Sequence, residues 1–446
     1  MKKKVELIFL IIVLLGAVNA TAQEDKYFTL EQAKEYALKN SKELALKQVE
    51  VNKARHQVKE SLSYLLPQVN GELTYTHYGK LNSTIIPEGS IMEGMPEQVI
   101  QFGLPENVMA GINASQTIFN GVFLVGFKAA DIFVKMTQQE KVVKEEELKD
   151  MLSRSYYNVL VARESTEIVE QNIKNLQELH DQTLKLYENG LVEELDVDRL
   201  ALSLANLKTK VKTLQNNIQL TEVVLKFQMG YPIEEEIFLT QTLSDFVEDE
   251  QVLYPEEGDF NKRSELQLMH LREQVNLQNI KRIKFSYLPY VTAFASLATS
   301  AQRSKFDFFR FGDNHPWFNY RYFGVQLNVP IWDSFGRRSQ VNTAKEDLQR
   351  IRIGRDHLEE SFKLEYSKAK IDYANALNEY NEMLGNLQIA EKIYKTVQMK
   401  YSEGLRSSLE LTNAEQELYT TQSMLINAKY KVLIAKTDVE KALGQN

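Results

Sequence analysis

The chain contains no cysteine among its 446 residues. Disulfides therefore cannot stabilise it, and a cysteine nucleophile, a thiolate metal ligand or a lipid-modified cysteine is excluded. The six histidines are scattered and never show the spacing of a zinc or metalloprotease site. A glycine-rich phosphate loop is also missing. The sequence thus predicts a protein that is not an enzyme, with no catalytic residues, metal site or cofactor.

Long apolar runs are missing outside the first 22 residues. There, the basic stretch Lys2–Lys4 precedes an apolar segment, residues 7–15, and the small residues Ala20 and Ala22. This pattern is typical of a secretory signal peptide over residues 1–22, with cleavage expected after Ala22 or, second, after Ala20. The apolar segment is short for a transmembrane helix, which needs about 20 residues. The net charge of −8 argues against a nucleic-acid partner.

Proline and glycine are scarce over two long stretches. Neither residue occurs between Gly126 and Gly190, and only two glycines interrupt a second stretch from about Arg337 to Glu403. Because these residues punctuate local structure, their scarcity predicts two very long helices. Helices of such length suggest coiled-coil packing.

Each long stretch is followed by a segment in which apolar residues recur at steps of three and four. The members in the second segment are Leu411, Ala414, Leu418, Thr421, Leu425, Ala428, Val432, Ala435, Val439 and Ala442. Those in the first are Val197, Leu200, Leu204, Leu207, Val211, Leu214, Ile218, Thr221 and Leu225. This spacing predicts heptad seams of left-handed coiled coils, although a buried face in an ordinary helical bundle would look the same.

The chain also repeats itself. Short segments of the first half recur in the second as Ser63–Val69 with Ser286–Val291, Tyr187–Leu191 with Tyr401–Leu405, and Met229-Gly230 with Leu443-Gly444. We expect one structural repeat over residues 23–230 and a second over 261–446, because a duplication this long usually builds one symmetric object. The acidic segment 231–260 between them is either a structured band or a solvated linker.

Segments with alternating apolar and polar residues predict two strand pairs. Val108–Ser115 and Phe323–Val329 alternate clearly, and their partners, near Gly71–Thr76 and Val291–Phe294, alternate in part. Membrane barrels and soluble sandwiches both use such strands. Four strands cannot close a barrel, and open edges in lipid leave backbone groups unpaired, so a membrane location would require several chains.

These motifs resemble the outer-membrane efflux protein family, the TolC-like channels, over essentially the whole mature chain. The resemblance is carried by the strand starts at Pro67 and Pro289, the strand exit at Pro330, and the turns Gly190-Leu191 and Gly404-Leu405. It implies a mainly α fold with a membrane β-barrel portion. In that fold long antiparallel coiled-coil helices form a periplasmic α-barrel, and four β-strands per chain complete a twelve-stranded barrel in a homotrimer.

The resemblance also implies a function and partners. The expected function is the exit duct of a tripartite efflux or type I secretion system, in the outer membrane of a Gram-negative bacterium with a long periplasmic portion. The partners would be a periplasmic adaptor (membrane fusion) protein, an inner-membrane pump of the RND or ABC class, and outer-membrane lipid. An exported coiled-coil scaffold or adaptor is the alternative, but it does not explain the duplicated strand pairs.

The site residues follow from the same resemblance. The tips at Gly190, Leu191, Gly404 and Leu405 would contact the adaptor. The pore and gate residues would be Asp196, Glu410, Arg406 and Tyr401, with links between neighbouring tips at Asp196, Arg406 and Tyr401 and a ring of acids that includes Glu410. Asn413 replaces a second ring acid, which weakens the expected preference for cations. First-turn acids favoured by the helix dipole are the plainer interpretation of Asp196 and Glu410.

Overall fold

The computed structural model describes residues 26–89, 96–246, 254–256, 258–310, 312 and 315–445. The expected signal peptide and part of segment 231–260 lie outside the described residues. The chain forms two compact units. The first unit contains residues up to Glu50, Gln138–Leu268 and Gly354 onward, and the second contains Val51–Thr137 and Met269–Ile353. Both sequence repeats contribute residues to both units.

Helices account for most of the described chain. They are α1 (Leu30–Asn40), α2 (Lys42–Ser63), α3 (Gly121–Glu188), α4 (Glu194–Met229), α5 (Ser264–Phe285), α6 (Gly336–Ser402) and α7 (Ser408–Ala442). The two longest, α3 and α6, contain 68 and 67 residues. Each is therefore about 100 Å long, given a rise of ~1.5 Å per residue. The two very long helices predicted from the scarcity of proline and glycine are confirmed.

The strands are shorter than the helices. They are β1 (Tyr27–Phe28), β2 (Gln68–His77), β3 (Ser83–Ile86), β4 (Gln98–Gln101), β5 (Glu106–Phe119), β6 (Phe238–Leu239), β7 (Tyr290–Arg303) and β8 (Phe318–Asn328). The four predicted strands correspond to β2, β5, β7 and β8. Pro67 and Pro289 directly precede β2 and β7, and Pro330 lies two residues beyond β8. Proline suits these positions because it has no N–H to donate inside a sheet.

The first unit has a core in which α1, α3, α4 and α7 meet. Tyr156 of α3 is fully buried there and donates a hydrogen bond to the carbonyl of Phe28 at 3.0 Å. The described part of segment 231–260 belongs to this core, since Tyr231, Ile237 and Leu243 are buried and β6 pairs in parallel with β1. That part of the segment is a structured band rather than a solvated linker.

The heptad seam of α7 is buried along its length. Nine of its ten members are buried and Thr421 is half-buried, which confirms the predicted seam. The equivalent seam of α4 is buried near its two ends, but its central members are only half-buried. These central members are Leu207, Val211, Leu214, Ile218 and Thr221.

The second unit contains a four-stranded antiparallel sheet in the order β2-β5-β7-β8. All four strands join helices at one end of the sheet and loops at the other. Since side chains alternate across a strand, the register defines two faces. The polar face carries Gln68, Asn70, Glu72, Thr74, Asn113, Ser115, Ser296 and Gln326. The apolar face carries Val69, Leu73, Tyr75, Val108, Ile112, Leu297, Phe323, Val325 and Leu327.

The segment between β2 and β5 contains two further strands. Residues of β3 and β4 form a small antiparallel hairpin in which Ile85 lies opposite Val99. This apolar cross-strand pair stabilises the hairpin.

Candidate gate at the helical turns

Two tight turns reverse the long helices in the first unit. Gly190 follows α3 and Gly404 follows α6, with φ values of +76° and +74°. The N–H of Leu191 donates to the carbonyl of Leu186 at 3.0 Å, and the N–H of Leu405 donates to that of Lys400 at 2.8 Å. This left-handed glycine closure satisfies helix carbonyls that would otherwise lack partners. Both turns are thus built as the sequence predicted.

Leucines follow both glycines and point into solvent. Leu191 is 70% exposed and Leu405 is 68% exposed. Two equivalent apolar side chains are therefore displayed at the turns, where a partner could cover them.

Glu410 is held by its own helix. Its backbone N–H donates to Oγ of Ser407 at 3.3 Å, and its Oε2 accepts from the N–H of Ser407 at 3.2 Å, which forms a capping box. Its Oε1 lies 2.5 Å from Nη1 of Arg406. The hydrogen bond from the Ser407 N–H, assisted by the Arg406 guanidinium, lowers the pKa of Glu410. The carboxylate is therefore ionised and paired within the chain.

Asp196 occupies the equivalent position in the first repeat but bonds differently. Its carboxylate accepts from the hydroxyl of Ser408, at the start of α7. Nη1 of Arg199 donates to the same Ser408 oxygen at 3.1 Å, and Ser408 is fully buried. Asp196 thus links the turn of the first repeat to that of the second.

Tyr401 lies behind the second turn. It is 7% exposed, and its hydroxyl lies 3.3 Å from Oγ1 of Thr183 on α3. Burial raises the pKa of Tyr401, and the contact with Thr183 partly opposes this. Tyr401 and Thr183 give a second contact between the repeats.

The four gate residues expected from the sequence do not all meet one another. Arg406 and Glu410 pair, whereas Asp196 pairs with Ser408 and Tyr401 with Thr183. Sequence reasoning missed Ser408, Arg199 and Thr183. The motif Ser407-x-x-Glu410 is a readable capping-box signal, but a contact such as Asp196 to Ser408 spans 212 positions and leaves no local trace.

Glu415, one turn beyond this site on α7, was also missed. Its Oε2 is buried and has no hydrogen-bond partner in the described part of the chain. Burial raises the pKa of Glu415 to about 7. The nearby Tyr394 of α6 has a pKa raised to about 12, chiefly by burial and then by the Glu415 charge.

Within the described residues, no group of three or more histidine or carboxylate side chains is arranged to hold a metal ion. No helix in these parts of the chain combines the length and apolar content that crossing a membrane requires.

Comparisons with known proteins converge on one family. The sequence profile of the outer membrane efflux protein family matches residues 35–231 and 261–445. The chain is 21% identical over 353 residues to the pyoverdine export outer membrane protein OpmQ of Pseudomonas aeruginosa, which covers 76% of this chain and 70% of that protein. It is 22% identical over 312 residues to the outer membrane protein TolC of Escherichia coli, covering 65% of this chain and 60% of TolC.

The fold is also shared with solved channels. The crystal structure of CusC superposes with a TM-score of 0.74 at 17% identity, covering 94% of this chain and 92% of CusC. This likeness confirms the expected mainly α fold with a β portion. With both repeats matched by the profile, the chain belongs to the outer membrane efflux protein family.

Proposed function

We propose that three copies of this chain form the exit duct of a tripartite efflux or type I secretion system. The family assignment places the chain in the outer membrane. The observation that carries the proposal is the sheet of the second unit. Its outer strands β2 and β8 pair with no further strand in the described residues, and one of its two faces is more apolar than the other. In lipid such edges must be paired.

The strand directions suit closure by identical copies. Because neighbours alternate in direction, β8 of one copy would run antiparallel to β2 of the next. Three copies then give a continuous antiparallel ring with an even number of strands, as membrane barrels of single chains have. The apolar face would meet lipid and the polar face would line the lumen.

The helices of the first unit offer matching surfaces. Leu202 and Leu220 of α4 are 65% and 61% exposed, and Leu364 and Ile371 of α6 are 71% and 59% exposed. Exposed apolar rows on long helices mark surfaces for further packing. Contacts between α4 of one copy and α6 of the next would cover both rows and complete a periplasmic α-barrel.

The scaffold or adaptor alternative is weaker. It would account for the helices and their seams, but it would leave the apolar face of the sheet in water. Phe323 on that face is 90% exposed and Val325 is 70% exposed. A soluble protein rarely leaves so continuous an apolar surface uncovered.

The turns are proposed as the entrance of the duct. Asp196, Arg406, Glu410 and Tyr401 would hold the tips closed, and Leu191 and Leu405 with Gly190 and Gly404 would contact the periplasmic adaptor. Asp196 and Glu410 from three copies would bring six carboxylates to the opening. The expected preference for cations is reduced because Glu410 pairs with Arg406 and because Asn413 is uncharged.

The duct would act as a passive conduit with no catalytic activity of its own. Energy would come from an inner-membrane pump of the RND or ABC class, joined through the adaptor. Few side chains would contact cargo in a wide lumen, so the cargo is left open.

Single-channel recording in planar bilayers tests the duct and its gate. The wild-type protein is expected to conduct weakly, because Asp196 and Arg406 hold the tips. Replacing both by alanine should raise the conductance, since the turns lose the link to Ser408 and the pair with Glu410. The matched control is Thr412→Val, which removes a hydroxyl that bonds only to the carbonyl of Ser408 in its own helix.

Two results would count against different parts of the proposal. If the double variant conducts like the wild type, the gate assignment is wrong while the duct survives. If osmotic shock releases the wild-type protein in soluble form, the duct itself is wrong and the scaffold alternative is favoured.

A further inference from the structure

The described part of the loop between β7 and β8 folds back onto the apolar face of the sheet. Phe308 is 5% exposed and packs against Val108 of β5 and Ala301 of β7, with Trp317 beside it. The rings of Phe308 and Trp317 have centroids 6.4 Å apart in an edge-to-face arrangement. The loop therefore covers the outer end of the face that the proposed function assigns to lipid.

Charged side chains fasten this loop. Arg303 is 6% exposed and donates from Nη1 to the carbonyl of Pro316 at 2.9 Å. Asp307 lies 3.4 Å from Nε of Arg303 and 3.1 Å from Nε2 of His315. A buried arginine that is paired with a carboxylate in this way fixes the loop in one arrangement.

The loop held in this way exposes two aromatic and two basic side chains to solvent. Phe306 is 59% exposed and Phe309 is 82% exposed, and Lys305 and Arg310 beside them are exposed as well. Neither cation forms an ion pair with a carboxylate in the described residues. Exposed phenylalanines are costly in water, and their position next to unpaired cations is typical of side chains that sit at a membrane interface.

A third cation lies on the same face of the sheet. Arg321 of β8 is exposed and stands opposite Leu297 of β7, three residues from the outer end of its own strand. Its long side chain can lie along the apolar face and bring its guanidinium toward the loop end. Arg321, Lys305 and Arg310 thus give this end of the face a positive charge.

We propose that the loop surface, defined as Lys305, Phe306, Phe309, Arg310 and Arg321, binds the phosphorylated headgroup of an outer-leaflet glycolipid. The cations contact the phosphates, since guanidinium and ammonium groups bind phosphate through charge-assisted hydrogen bonds. The phenylalanines insert among the upper parts of the acyl chains. This inference rests on the proposed function, because only an outer-membrane barrel brings this face to the outer leaflet.

The position of the loop favours lipid over a second copy as the occupant. Phe308 anchors the loop over β5 and β7, the two central strands, and Phe306 and Phe308 also contact Tyr75 of the edge strand β2. Neighbouring copies would join through the backbone edges of β2 and β8, whereas the loop lies on the face of the sheet. The charge also fits, because three cations match an anionic headgroup and no described acid neutralises the two on the loop.

Native mass spectrometry of the full-length protein in nonionic detergent, with added diphosphoryl lipid A, tests the proposal. The wild type should carry bound lipid A. Lys305→Gln with Arg310→Gln, and separately Phe306→Ser with Phe309→Ser, should each reduce binding by about tenfold. The control pair is Lys210→Gln with Lys212→Gln, which removes the same charge from exposed positions on α4 and should leave binding unchanged.

Two further arms identify the source of the phosphate and do not depend on any variant. Lipid A stripped of its phosphates should bind the wild type weakly, and millimolar inorganic phosphate should not displace lipid A. The proposal would be overturned if the Lys305 and Arg310 variant bound lipid A as well as the wild type does. It would also be overturned if inorganic phosphate displaced lipid A completely. A trimer that conducts but binds no lipid A would end this inference alone, whereas a soluble monomer would end the proposed function as well.

Discussion

Asp196 and Glu410 stand at the same position of the two repeats, the third residue of a helix, yet they bond to different partners. The cause is the residue at the N-cap. Ser407 caps α7 and binds Glu410 in a capping box, whereas the N-cap of α4 is Glu193, which makes no side-chain cap hydrogen bond. Asp196 is therefore free to reach Ser408 in the other repeat. The repeats thus use different N-cap residues, and one has a local cap where the other has a link between two turns.

Glu415 is expected to make the packing of α6 and α7 depend on pH. An unburied glutamate has a pKa near 4.5, and burial raises that of Glu415 to about 7. Below pH 4.5 the group is protonated whether packed or not, and it contributes nothing. As pH rises toward 7, only the unpacked state loses its proton, so the packed state loses stability, by up to about 3 kcal/mol.

Hydrogen exchange of α6 and α7 amides near the turns measures this effect. For the wild type, exchange corrected for intrinsic rates should become faster between pH 5 and pH 8. Glu415→Gln keeps the size of the side chain without its charge and should remove the dependence. Glu417→Gln is the matched control, since Glu417 is exposed on the same helix. Equal pH dependence in the wild type and Glu415→Gln would show that another group is responsible.

At the scale of whole elements, α4 and α7 carry equivalent seams with different burial. Leu425 of α7 is 7% exposed and fully enclosed by its own chain, whereas Leu214 in the centre of α4 is only half-buried. A leucine packed within one chain stabilises that chain. A leucine left partly open contributes most when another surface covers it.

Alanine at each position should therefore have a different effect. Leu425→Ala should loosen the α7 amides, with a loss of local stability of about 3 kcal/mol, and should leave the assembly intact. Leu214→Ala should leave α7 unchanged and promote dissociation into single chains. Hydrogen exchange reports the first effect, and light scattering after gel filtration over a range of detergent concentrations reports the second. An assembly that resists dissociation equally in the wild type and Leu214→Ala would show that no neighbouring copy covers this part of the α4 seam.

Elements differ in how far the sequence predicts them, for physical reasons. Helices α3 and α6 were predictable because breakers are scarce, and the α7 seam because Leu411 to Ala442 keep one spacing over many turns. Strands β1 and β6 contain two residues each, too few for any periodicity. The turns at Gly190 and Gly404 were readable from a local motif.

Contacts between the repeats were not predictable in the same way. The link from Asp196 to Ser408 and the fastening of Asp307 by Arg303 depend on how distant or irregular segments fold together. A single polar residue carries no signal of its partner, whereas a repeated apolar spacing does. The two turns were therefore located from the sequence, but the hydrogen bonds between them were not.

At the scale of the whole molecule, the decisive question is how the edges β2 and β8 are paired. The chain has no cysteine, so introduced pairs of cysteines can report the pairing of these edges without interference from native thiols. We propose one cysteine on β2 and one on β8, both on the polar face. The β2 positions are Asn70, Glu72 and Thr74, and the β8 positions are Tyr320, Tyr322 and Gln326.

Opposed residues of antiparallel strands lie about 5 Å apart, close enough for a disulfide. At least one combination should therefore give covalent species of two and three chains after oxidation. Larger species should not form, because a ring of three chains has no free edge.

The control is Asn113→Cys with Ser296→Cys, which lie opposite each other on β5 and β7 and should cross-link only within one chain. Covalent species of more than three chains would mean that the assembly is open or larger than a trimer. If none of the cysteine pairs cross-links in membrane-inserted protein, β2 and β8 do not meet. The proposal of a shared barrel would then have to be abandoned.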